Sequence, residues 1–139
     1  MIIDSHAHIF PFLGLAAGYP SQADHMQVLQ QYMAAHAQPV RRLRDHVIVT
    51  EQTLADLPLD GPHRLRNVGF HVEENGRFVW TSGGVELYIH FMPPSLQLNA
   101  SSPEYLLAEM AYAEVDVAVL QNAHLYGRLN EYFAAAMAR

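Results

Sequence analysis

The stretch IIDSHAHIF, residues 2–10, decides the reading of the chain. After two isoleucines it alternates, with Asp4, His6 and His8 at even positions and Ile3, Ser5, Ala7 and Ile9 at odd ones. Side chains of an extended strand point to opposite faces in turn. A strand over residues 2–8 therefore places Asp4, His6 and His8 on one face. The apolar run around them predicts that this strand is buried. Phe10 and Pro11 break it, and Gly14, Gly18 and Pro20 mark a loop over residues 11–20. Two imidazoles a few ångströms apart on one face suit a shared Zn²⁺, or alternatively Mn, Fe or Co, because imidazole is a good borderline ligand. A metal site takes three or four ligands, and this pair supplies two. The alternative for the pair is a buried hydrogen-bonded couple. Asp4 either orients one of the histidines from behind by a hydrogen bond or is an ordinary acid at the start of a strand.

Outward from this stretch, Ser21 is an N-cap for a helix through about residue 37, with Met26, Leu29 and Met33 on one core-facing stripe. Residues 38–66 are hard to assign. Arg41, Arg42 and Arg44 fit a short helix, either as a carboxylate clamp or, in preference, as a solvated face. Residues 67–91 read as a three-stranded antiparallel meander. Asn75 and Gly76 form the preferred two-residue type I′ turn, which sets Val72 opposite Val79 and His71 opposite Trp80. Gly83 and Gly84 supply the second turn, and a third strand runs from about Val85 to Phe91. His71 and His90 read as residues packed beside Trp80 and Tyr88 in preference to a second metal site.

Ser102, Pro103 and Glu104 start a helix to about Ala113, with a capping hydroxyl, a proline in the first turn and an acid for the helix dipole. Residues 115–121, VDVAVLQ, form a β-branched run expected of a strand covered on both faces. A last helix begins near Leu129. A helix on either side of the second strand favours a parallel sheet and an α/β fold. The chain reads as a single domain or fragment over 1–139, with βα units at 1–37 and 95–139 and the meander, about 64–91, inserted between them.

Composition narrows the functions further. The chain has 139 residues, half of them hydrophobic and 16% charged, as in an ordinary globular domain. A net charge of −6 offers nothing to nucleic acid or to an anionic membrane. Cysteine is absent, so disulfides and thiolate metal sites are excluded, and a reducing, cytoplasmic location is expected. No apolar run approaches the roughly 20 residues that span a bilayer, and no basic stretch leads an apolar one as in a signal peptide. All eight basic residues are Arg, which removes any lysine-based Schiff base or metal bridge from this stretch.

IIDSHAHIFP resembles the first strand of the amidohydrolase superfamily, in which a strand-1 His-x-His holds the catalytic metal inside a (β/α)8 TIM barrel. Residues 102–139 are similar to the second βα unit of the amidohydrolase-related branch, which includes aminocarboxymuconate semialdehyde decarboxylase-like enzymes. There a helix is followed by V-D-x-A-V-L-Q and Y-G-x-x-N-x-Y, here Val115, Asp116 through Gln121, then Tyr126, Gly127, Asn130 and Tyr132. The two stretches cover about a third of the chain. Several members of the branch carry a small β insertion after strand 1, and residues 64–91 look like one.

The resemblance implies the N-terminal part of a TIM barrel, its first two strands with their helices, interrupted by the inserted meander. It implies metal-assisted hydrolysis, hydration or non-oxidative decarboxylation of a small carboxylated or cyclic substrate, with His6 and His8 as metal ligands. A full barrel takes about 250 residues, so the later-strand ligands and acid–base residues are expected outside this stretch. Gln121, Asn122, His124 and Tyr126 follow the second strand, at the end of a barrel where active sites lie, and are candidate substrate contacts. Phe10 and Tyr19, after the first strand, are candidate pocket walls. From a different class, the chain is alternatively a non-catalytic domain that forms a homo-oligomer through strand edges and helix faces a barrel would have covered.

Overall fold

The computed structural model describes residues 1–36, 38–50, 53–56 and 64–138. It is a mixed α/β structure with three helices, a two-stranded parallel sheet and a five-stranded antiparallel sheet among these residues. No closed barrel is formed among them. None of the helices is long and apolar enough to cross a membrane.

The parallel sheet pairs β1 (Ile3–Ala7) with β7 (Val117–Leu120), the two strands expected to lie side by side. Ile3 lies opposite Val117 and Asp4 opposite Ala118, but Ala7 lies opposite Leu120, so one extra residue bulges from β1 between Asp4 and Ala7. The ladder continues past β7, where the Gln121 N–H donates to the Ala7 carbonyl at 2.9 Å. The expected burial of these strands is corrected. Ile3 is 52% exposed, and Val117 and Val119 are 43% and 46% exposed. Their apolar pattern is that of covered strands, yet about half of each of these side chains is open to solvent.

α1 (Gln22–Ala35) begins where expected, with the Ser21 hydroxyl accepting the Asp24 N–H. Leu29 and Met33 are fully buried along its inner stripe, and His25 and Gln30 are buried beside them. α2 (Pro103–Tyr112) likewise starts on a serine cap, Ser102, which accepts the Tyr105 N–H. α3 (Asn130–Met137) buries none of its residues.

The antiparallel sheet is larger than the three-stranded meander expected. Its order is β3 (Ile48–Val49), β2 (Val40–Arg42), β6 (Val85–His90), β5 (Arg77–Ser82), β4 (His71–Val72). Arg41 and Arg42 are strand residues and not part of a helix, because both edges of β2 are paired: Arg41 faces Ile48 on one side and Tyr88 on the other. The turn after β2 is closed by Asp45, which accepts the Val47 N–H at 3.2 Å and pairs with Arg42 at 3.1 Å. Partial desolvation raises the Asp45 carboxyl, but the Val47 N–H and the charges of Arg42 and Arg44 outweigh it and hold the group below the ordinary range.

The hairpin at Asn75 and Gly76 is also shifted by one residue from the expected register. His71 pairs with Val79 and Val72 with Phe78. Glu73 N–H donates to the Arg77 carbonyl, so the turn holds three residues, 74–76. The segment after β6 dictates this. The Gly76 carbonyl accepts the N–H of Phe91 and of Met92, and Asn75 N–H donates to Gln97 O at 2.8 Å. A Cβ on Gly76 would sit 2.1 Å from the Met92 carbonyl oxygen, so only glycine admits that approach. The second turn is as expected: Gly83 and Gly84, both at positive φ, join Ser82 to Val85.

One apolar core joins Leu29, Met33 and Ala34 of α1 to Phe78, Trp80, Leu87 and Ile89 of the antiparallel sheet. Phe10, Leu13 and Ala17 from the loop after β1, and Leu125 and Leu129 from the loop after β7, complete it. The Trp80 indole N–H is satisfied by the Thr53 hydroxyl at 2.8 Å. None of the buried residues in this core comes from β1, β7, α2 or α3. The parallel sheet is therefore attached through the loops that leave its carboxyl end.

Candidate metal centre

His6 ends the bulged part of β1 and His8 follows the strand, and their Nε2 atoms lie 2.9 Å apart. The rings meet edge to face, with centroids 4.7 Å apart. His8 is held from behind, its Nδ1 2.8 Å from the Gln121 carbonyl oxygen. A carbonyl only accepts, so Nδ1 carries the proton, and the Nε2 of a neutral His8 presents a lone pair. His6 Nε2–H donates to that lone pair. Ligating histidines are ordinarily oriented in this way, by an N–H bond to a carbonyl on the side away from the ion.

The pair fits two adjacent positions around a metal. With Zn–N bonds of about 2.0–2.1 Å, tetrahedral ligands place their nitrogens about 3.3 Å apart. The observed 2.9 Å is close to this and opens by a small ring rotation. Binding also requires the His6 proton to move from Nε2 to Nδ1. Among the described residues no group of three or more His, Asp or Glu side chains is placed to hold an ion. The described part of the chain thus offers a half-site.

Asp4 does not reach either ring as its position suggested. Its Oδ1 accepts the His6 backbone N–H at 3.0 Å, which stabilises the bulge. It shapes the strand that presents His6.

Behind the pair the rings continue in a row toward the core. Tyr126 lies 4.8 Å from His8, and Phe10 stacks on Tyr126 at 4.5 Å and 18°. His6 is exposed, whereas Phe10 is 2% exposed, so the row runs from solvent into the core. Burial, and secondarily the nearby Tyr32, push the Tyr126 phenol above its ordinary value near 10, so it stays a neutral donor. Phe10 is a buried core residue that backs the pair through Tyr126.

The remaining candidates build the loops. Gln121 gives its carbonyl to His8, and its side-chain amide donates to Ser5 O at 3.1 Å. Asn122 closes its own loop by donating to Gly127 O at 3.1 Å. The Tyr19 hydroxyl donates to the His124 carbonyl at 3.0 Å, while the His124 residue is exposed. The structure brings His6, His8, Gln121, Tyr126 and Phe10 together and leaves Tyr19, Asn122 and His124 in the loop seam beside them.

That seam includes residues not singled out from the sequence. Arg128 N–H donates to Ala17 O at 2.8 Å, and the Arg128 guanidinium sits 5.0 Å from the Tyr19 ring centre. A Cβ on Gly18 would lie 2.1 Å from the Arg128 carbonyl oxygen, and one on Gly127 would lie 2.3 Å from that of Ala17. The two loops are interlocked backbone to backbone. His25, fully buried, reaches both of them. Its place four residues before Leu29 on the apolar stripe was the available signal, since a polar side chain there must find buried partners.

Compared with known proteins, the chain matches no family model, no curated protein and no solved structure.

Proposed function

We propose that the chain is part of a metal-dependent hydrolase or lyase of the amidohydrolase kind, with His6 and His8 as two of its metal ligands. The supporting observation is the His6–His8 pair, its Nε2 atoms 2.9 Å apart at the carboxyl end of a parallel strand pair, with His8 already oriented by the Gln121 carbonyl. In this reading β1 and β7 are neighbouring strands of a (β/α)8 barrel, and strands added beside them supply the other ligands. A metal bound there supplies Lewis-acid activation of a water or polarisation of a substrate carboxylate. Hydrolysis, hydration and non-oxidative decarboxylation of a small carboxylated or cyclic substrate all use such a shell. In this reading Tyr126, its ring 4.8 Å from that of His8 and its phenol kept neutral by burial, is the candidate hydrogen-bond donor to that substrate.

Metal titration followed by elemental analysis tests the assignment. Zn²⁺ that the chain takes up, or Mn, Fe or Co in its place, is expected to be lost in the double variant His6→Ala, His8→Ala. A double variant that keeps its full metal content removes the assignment.

A second reading, a non-catalytic domain that associates with copies of itself, is favoured by the exposed apolar side chains of the parallel sheet and of α2. These are Ile3, Val117 and Val119 on the strands and Leu107 and Tyr112 on the helix. Light scattering across a concentration series separates the two. A metal-free oligomer that Val119→Lys returns to monomers supports self-association, and a monomer that binds metal supports the first reading.

A further inference from the structure

His25 lies on the first turns of α1, fully buried, with each ring nitrogen against a backbone carbonyl. Nδ1 is 2.7 Å from Leu15 O, in the loop after β1, and Nε2 is 2.9 Å from Leu125 O, in the loop after β7. Both partners are carbonyls, which have no proton to give. A neutral imidazole has one N–H and one lone pair, so in either tautomer one nitrogen would face a carbonyl lone pair to lone pair, buried and unsatisfied. Only the doubly protonated ring makes both bonds.

We infer that His25 is held as an imidazolium that clamps the loop after β1 to the loop after β7, so that the closure of this seam depends on one proton. The charge of His25 is independent of whether the His6–His8 pair holds a metal. Burial by itself disfavours the charged ring, and the neighbours of the ring work against that penalty. The Tyr19 ring stacks on the imidazole at 5.1 Å and 17°, offering its electron-rich face. Two carbonyl dipoles point at the two N–H groups, making charge-assisted bonds stronger than neutral ones. Of the charged groups near by, Asp24 precedes His25 on α1 and brings a negative charge, although its carboxylate is engaged by the Ser21 hydroxyl. Arg128, from the loop after β7, brings a like charge to the Tyr19 ring and opposes the imidazolium. Tyr19 itself, from the loop after β1, is tied by its hydroxyl to His124 O.

Loss of one His25 proton removes one of the two bonds and leaves the loops joined by Arg128 N–H to Ala17 O and Tyr19 O–H to His124 O. The seam therefore loosens as pH rises and tightens as pH falls. The same loops carry Gln121 and Tyr126, so loosening reaches the backing of His8.

Ring ¹H–¹⁵N correlation spectra of the native chain test this without a substitution. Near neutral pH both His25 nitrogens are expected to show the protonated signature. A His25 with one bare nitrogen in the folded chain at that pH overturns the inference. Hydrogen exchange gives the second measurement. Beyond the ordinary base catalysis of exchange, protection of the Arg128 amide is expected to fall roughly ten- to a hundredfold as His25 gives up its proton, the worth of one charge-assisted bond. That step should vanish in His25→Gln. If it persists there unchanged, His25 is not the clamp, and if that variant does not fold, the ring spectrum of the native chain decides alone.

Discussion

His8 Nδ1 lies 2.8 Å from the Gln121 carbonyl oxygen, and this contact fixes which nitrogen of His8 faces His6. The two residues are 113 positions apart and meet only because β1 and β7 pair in parallel. His8 is therefore predicted to be the Nδ1–H tautomer, visible in the same ring spectra that report on His25. Zinc added to the chain should shift the Nε2 resonances of His6 and His8 and leave the His8 Nδ1–H signal in place. An Nε2–H tautomer of His8 in the metal-free chain would contradict the half-site geometry.

The glycines of the loop seam give a paired prediction. Gly18 and Gly69 both have positive φ, +80° and +65°, but only Gly18 is crowded, with the Arg128 carbonyl 2.1 Å from where a Cβ would sit. Gly69→Ala should cost about 1 kcal/mol of backbone strain, and Gly18→Ala about 3 kcal/mol or more. Urea denaturation of the two variants measures the difference. Equal costs would mean that the loops are not interlocked at Gly18.

Packing makes a second contrast. Leu29 is fully buried in the core, whereas Val119 on β7 is 46% exposed. Leu29→Ala should lose about 2–5 kcal/mol, and Val119→Ala less than about 0.5 kcal/mol, as at an open surface. A Val119→Ala variant as unstable as Leu29→Ala would show that the parallel sheet is covered after all.

Tyr126 carries a pH dependence whose sign follows from its burial. Its phenol is raised above the unfolded value of 10.0. The stability it contributes is therefore complete below about pH 10 and is lost as the pH climbs from there through the folded value. In an ultraviolet titration of tyrosinate, the signal removed by Tyr126→Phe should belong to the late, alkaline part of the curve. If that variant removes early-titrating absorbance instead, Tyr126 is not shielded behind His8.

Local signals in the sequence were sufficient for the helices and the strand pair. Ser21 and the Ser102–Pro103 couple cap helices because capping needs only the adjacent three residues. The parallel pairing of the two apolar runs also follows from the helices between and after them. β2 and β3 were hidden because they are three and two residues long, and β2 holds two arginines. Its pairing of Arg41 with Tyr88 crosses nearly 50 residues, beyond any local signal. Asn75 and Gly76 announced a turn, but its register was set from outside by Phe91, Met92 and Gln97. At the site, His6 and His8 could be read from alternation alone. His25 gave only a partial signal, a polar residue on the apolar stripe of α1, because its two carbonyl partners, Leu15 and Leu125, are not brought together by sequence spacing.

The separation of the core from the parallel sheet has a consequence for how the molecule breathes. Amides of β5 and β6, beneath Trp80 and Phe78, should exchange only when the whole fold opens. Those of β1 and β7, with Ile3, Val117 and Val119 open to water, should exchange through a smaller and more frequent excursion. The two histidines sit at the end of the pair that opens first. The part of the chain with the most suggestive chemistry is thus also the part least held by its own packing, and whatever closes over β1 and β7 would set the lifetime of the half-site.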